Sequence, residues 1–132
     1  MNNRRHNLIR ATALVAITLG LTPVASTAQD AAVANPETVH VKLENDNVRI
    51  LEAELPPGTK EKVHSHPASV IYVLSGGRIR NHSAAGTATE RDLKSGDTIY
   101  REPMTHWSEN IGTTTVHLIL VELKVSKGPQ QP

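Results

Sequence analysis

The chain has 132 residues, no cysteine, no Phe, one Trp, two Tyr and a formal net charge of +1. Thiolate chemistry, cysteine-based zinc sites and disulfide stapling are excluded, and no basic stripe interleaved with aromatics is present to bind nucleic acid. Stability must come from a core of Val, Ile and Leu, helped by a metal or by association between chains.

Residues 1–28 read as a secretory signal peptide. Arg4, Arg5 and Arg10 make a basic start, Ala11 to Ala25 is apolar but short for a membrane span, and Ser26-Thr27-Ala28 offers a small-residue cleavage site. An uncleaved anchor is the alternative. Arg4-Arg5 hints at a twin-arginine signal, but Asn7 sits where a large apolar residue would help, which favours the general export route. The expected product is exported, periplasmic or secreted, with no stable membrane association after cleavage. Loss of the three leader arginines takes its charge from +1 to −2.

The mature chain is predicted to be one domain over residues 38–125, between a flexible lead-in at 29–37 and a disordered Pro/Gln-rich tail at 126–132. Short apolar segments alternate with turn signals. In order they are "TVHVKLE", "VRILEAEL", "SVIYVLS", "RIRNH", "TERDL", "TIYRE", "HWSEN" and "TTVHLILVELKV". Eight short strands without a sustained helical period predict an all-β sandwich or barrel. In the last strand Val116, Leu118 and Leu120 face one way while His117, Ile119 and Val121 face the other. A strand apolar on both faces lies between two layers or faces a second chain, so a homodimer is expected.

Six histidines remain after the leader. His64 and His66 are two apart on an extended segment, so both rings leave the same face. By itself the pair fits a metal site or a solvated pair equally well. His106, at the start of a later strand, is the third candidate ligand. His117 is read as an edge or interface residue, His40 and His82 as surface residues, and Tyr72 and Trp107 as packing groups. Glu61, Glu102 and Glu109 are read as solvated, with Glu102 near the barrel mouth. By parity Tyr100 is a candidate to place a hydroxyl in the cavity.

The pattern Gly58, His64, His66 and Gly76, followed by Gly96-Asp97, Pro103, His106 and Asn110, resembles the two cupin motifs. "ENDNVRI", "PGTKEKVHSHP" and "HWSENIGTTTVHLILVELK" are similar to compact bacterial cupins of the type named for beta-alanine degradation, over nearly all of residues 40–125. The resemblance implies a double-stranded β-helix, or jelly-roll, barrel with His64, His66 and His106 as metal ligands. Two departures stand out. The Glu expected after the second histidine is replaced: its position falls at Ser69, or at Val70 if counted forward from His66. "PMTH" also lacks the usual Gly and is two residues short. Ser69 is therefore expected to line the cavity where the family has a carboxylate.

Three neutral imidazoles suit Fe, Zn, Ni, Cu or Co and leave positions open to water or ligand. A divalent ion without a carboxylate ligand keeps its charge and favours a small anionic molecule. The implied function is dioxygenase- or isomerase-like chemistry on such a molecule. The alternatives are a non-catalytic ligand- or metal-binding module and a structural cupin that has lost the motif Glu.

Overall fold

The computed structural model describes residues 29–125; the leader and tail lie outside them. Ten strands and one short helix follow in order: β1 (Gln29–Asp30), α1 (Ala31–Ala34), β2 (Val39–Glu44), β3 (Val48–Leu55), β4 (His64–His66), β5 (Ser69–Ser75), β6 (Gly77–Ser83), β7 (Ala88–Leu93), β8 (Thr98–Arg101), β9 (Met104–Asn110) and β10 (Val116–Leu123). They form two five-stranded sheets, ordered β1-β4-β9-β6-β7 and β2-β3-β10-β5-β8.

Alternation decides which side chains enter the barrel. On β5 the buried residues are Ser69, Ile71 and Val73, while Tyr72 and Leu74 are exposed. Across the sheet Leu120 pairs with Leu51 and with Ile71, so their side chains share the inner face. Leu51, Leu55, Val73 and Val116 are almost fully buried, each worth about 1.5–3 kcal/mol over exposure. Ile79 of β6 joins the same core from the other layer.

Gly76-Gly77 is a corner between the layers. β5 and β6 lie in different sheets, so the strand crosses over instead of folding back on itself. A Cβ on Gly76 would sit 2.0 Å from the Leu93 carbonyl oxygen, so the crossing needs a residue without a side chain. Pro103 occupies the corresponding crossing from β8 to β9. Asn110 closes the far end of β9: its Nδ2 donates to the Leu55 and Thr114 carbonyls, and its Oδ1 accepts from Gly112 N–H.

The segment expected to be a flexible lead-in is built into the barrel instead. Gln29 and Asp30 pair in parallel with His64 and Ser65. Ala31 and Ala34 are buried, and Asp30 caps α1 by accepting from Ala32 N–H. The Ala-rich stretch has low side-chain bulk, which suits close packing on β4 and is indistinguishable by composition from a mobile leader.

Candidate metal centre

β4 and β9 are antiparallel neighbours, with His64 directly opposite His106. His66 shares the face of His64. The ring centroids are 4.6 Å apart for His64–His106, 4.8 Å for His64–His66 and 5.3 Å for His66–His106. One ring nitrogen from each lies within 4.8 Å of the others. Three strand positions far apart in sequence thus meet on one inner face.

Each Nδ1 is held by an oxygen. His64 Nδ1–H donates to the Lys62 carbonyl at 2.7 Å, which can only accept and so fixes the tautomer. His66 Nδ1–H donates to Glu122 Oε1 at 2.6 Å. His106 Nδ1–H donates to Asn81 Oδ1 at 2.7 Å. With Nδ1 protonated, each Nε2 carries a free lone pair. This is the donor set of a metal-binding histidine cluster, with outer partners orienting the rings. Burial holds His64 below the usual imidazole range. Burial, reinforced by His64, His66 and Arg101, takes His106 down to about 3. Both rings therefore stay neutral and able to ligate. The residues fit a divalent transition metal.

Glu122 extends the network. It is 3% exposed, and besides His66 it faces Arg49 at 3.6 Å. Arg49 is also ion-paired with Asp30, so the β1 segment braces the site from behind. Glu122 follows the inward phase of Leu118 and Leu120, and its parity marks a buried carboxylate in an apolar strand. Asn81, and Asn35, whose Nδ2 lies 3.1 Å from His64 Nδ1, carry no such mark, because only the pairing of β6 with β9 and the docking of α1 bring them to the histidines.

Above the rings lies a cavity of about 60 Å³, lined by the three histidines, Glu61, Ser69, Arg101, Met104 and aliphatic side chains. Ser69 lines it as expected. Tyr100 does not: Arg101 pairs with the inward Ser69, so Tyr100 pairs with Val70 on the outer face and is 57% exposed. The strand runs one residue out of the predicted phase, which turns Arg101 inward. Glu61 is a second correction. Expected to be solvated, it is turned into the cavity, where Oε2 accepts from Ser108 N–H at 3.2 Å. Burial pushes its carboxyl up to about 7. The bridge between Lys60 and Glu109 carries the loop inward, which a loop sequence does not announce.

The other histidines take no part. His117 lies on the outer face, 2.9 Å from Glu52. His82 stacks on Trp107 with centroids 3.6 Å apart, and His40 is exposed.

No family model and no curated protein matches the chain. Solved structures do. A cupin domain from Bordetella pertussis Tohama I superposes with a TM-score of 0.61 at 24% identity, covering 66% of this chain and 92% of that one. A double-stranded β-helix protein from Klebsiella pneumoniae gives 0.52 at 26% identity, over 65% of this chain and 76% of that one. A cupin-like protein from Thermotoga maritima gives 0.53 at 24% identity, over 69% and 71%. The chain therefore has the cupin fold, a double-stranded β-helix barrel that carries a three-histidine group able to hold a metal.

Proposed function

We propose that this is a small exported metal-dependent enzyme acting on a compact anionic metabolite, in dioxygenase- or isomerase-like chemistry. The observation that carries the reading is the locked set of three Nδ1–H bonds, which leaves three Nε2 lone pairs for one ion. His64, His66 and His106 would hold the metal. When bound it would supply Lewis-acid or redox chemistry and a positive charge that attracts anions. Glu61 would hold or deliver a proton at the cavity wall, since a carboxyl pushed up to about 7 exchanges protons near neutrality. The aliphatic wall excludes water and strengthens each charge in the site.

Metal analysis of untagged protein from the exported fraction tests this reading. The wild type should hold close to one equivalent of Fe, Zn, Ni, Cu or Co. His64→Ala and His106→Ala should lose affinity by several orders of magnitude while remaining folded. Equal metal content in the wild type and the triple histidine-to-alanine variant would overturn it. One observation favours a second reading: Ser69 puts no carboxylate on the metal side. That suits a module which binds a ligand without turnover, and metal loading without activity would select it.

Export and pairing belong to the same proposal. Mass spectrometry of the mature chain should find Gln29 at its N-terminus, and a soluble cytosolic form beginning at Met1 would count against export. A homodimer is supported by the outer face of the second sheet, where Tyr72, Leu74, Tyr100 and Leu123 are 40–57% exposed. Light scattering should report twice the chain mass.

A further inference from the structure

Two partly buried arginines, Arg49 and Arg101, differ in their partners. Arg49 is held by Asp30, Glu44 and Glu122. Arg78 and Arg80, on the surface, share Glu90. Arg101 makes no ion pair among the described residues, and its one side-chain hydrogen bond is a long one, from Nη1 to Met104 Sδ at 3.5 Å. It nevertheless points inward, opposite Ser69 on the neighbouring strand, and lines the histidine cavity. Burial weakens its charged form, and the other charge it feels is a second cation, Arg91.

A desolvated guanidinium without an acidic partner is costly to maintain. Its planar fork of N–H donors matches a carboxylate. The Glu61 carboxyl, also in the cavity, is not among the groups that stabilise its charge. Ser69 matters here as well. A Glu at that position would stand directly across from Arg101 and neutralise it; the serine leaves the fork free. The cavity is small, about 60 Å³, so the occupant has only a few non-hydrogen atoms.

We infer that Arg101 is the anchor for a small carboxylate ligand, gripping the carboxylate with its guanidinium fork while a second oxygen of the ligand faces His64, His66 and His106. The ligand class is a two- or three-carbon acid bearing a hydroxyl or oxo group beside the carboxylate. The role of the second oxygen rests on the metal reading above; the role of Arg101 does not.

The test uses glycolate and its neutral isostere glycolamide, titrated calorimetrically into zinc-loaded and into metal-stripped full-length mature protein. The zinc content of the wild type and Arg101→Gln is measured first and should be equal. Glycolate should bind the wild type at least tenfold more tightly than glycolamide does. Arg101→Gln should weaken glycolate by about ten- to a hundredfold, the loss of a charge-assisted paired bond, and leave glycolamide unchanged. Equal glycolate affinity in the two proteins, or no glycolate binding to the wild type, overturns the inference while leaving the metal reading intact. If zinc fails to load, the metal reading falls, and the metal-stripped titration decides on Arg101 by the same criterion. Should Arg101→Gln not fold, Arg101→Lys replaces it: it keeps a charge but lacks the fork. About tenfold weaker glycolate binding supports the anchor, and unchanged binding refutes it.

Discussion

Glu61→Gln should make the metal-stripped protein markedly more sensitive to acid. Burial raises the Glu61 carboxyl from 4.5 to about 7. A raised carboxyl contributes stability that is fully present below pH 4.5 and is lost as the pH rises through 7, because the unfolded chain ionises first. His106 has the opposite sign. Burial lowers it from 6.5 to about 3, so its contribution is full above pH 6.5 and is lost as the pH falls toward 3. At about 1.4 kcal/mol per pH unit within each window, each group changes stability by about 2 kcal/mol between about pH 7.5 and pH 5. The two changes oppose each other, so these two groups together leave wild-type stability nearly flat over that range. Glutamine cannot ionise and retains the Ser108 N–H as a donor. The variant keeps only the histidine side and should lose about 2 kcal/mol more than the wild type on acidification. Urea denaturation followed by Trp107 fluorescence, at both pH values and after removal of metal, reads the difference. The same pH dependence in the two proteins would show that Glu61 ionises in the ordinary carboxylate range, and would remove it as a proton carrier.

Glu122→Gln keeps an acceptor for His66 Nδ1–H but removes the charge behind it; metal affinity should fall about ten- to a hundredfold, read by competition with a chromophoric chelator. Gly76→Ala should cost about 3 kcal/mol or more, since its Cβ meets backbone oxygen and not a movable side chain. Gly86→Ala is the control: it has open space but a φ of +85°, and should cost about 1–2 kcal/mol from conformation alone. Comparable losses at the two glycines in thermal melts would mean that the Gly76 corner relaxes. Saturating zinc at a hundredfold excess over the dissociation constant should stabilise the wild type by about 2.7 kcal/mol, with no such gain in His106→Ala.

Period-two alternation and turn residues made the strands legible, because side-chain direction in a strand is fixed locally by the pleat. For the same reason His64 and His66 could be placed on one face, while the barrel was implied by the resemblance of the Gly, His, Pro and Asn pattern to the cupin motifs. Three misreadings mark where local rules end. Tyr100 and Arg101 both sit in a short strand at the sheet edge, where a shift of one residue exchanges the inner and outer faces; only the pairing of Ser69 with Arg101 decides between them. Glu61 lies in a loop, and a loop has no period from which to read burial. The Ala-rich segment at 29–37 gains its order from α1 packing on β4, a relation between distant segments that composition does not contain. Nothing in the Gly76-Gly77 pair itself tells that the chain leaves one sheet for the other there.

The residue types of the site were thus determined locally: three imidazoles, and a serine where a carboxylate was expected. Which oxygen orients each imidazole was decided by tertiary structure. Lys62 is two residues from its histidine, but Asn81 is 25 residues away and Glu122 is 56. Those distances close only when β6 pairs with β9 and the two sheets stack. The charge balance of the cavity follows from the same closure, since burial raises the Glu61 carboxyl to about 7, keeps His106 neutral and leaves Arg101 without an acidic partner.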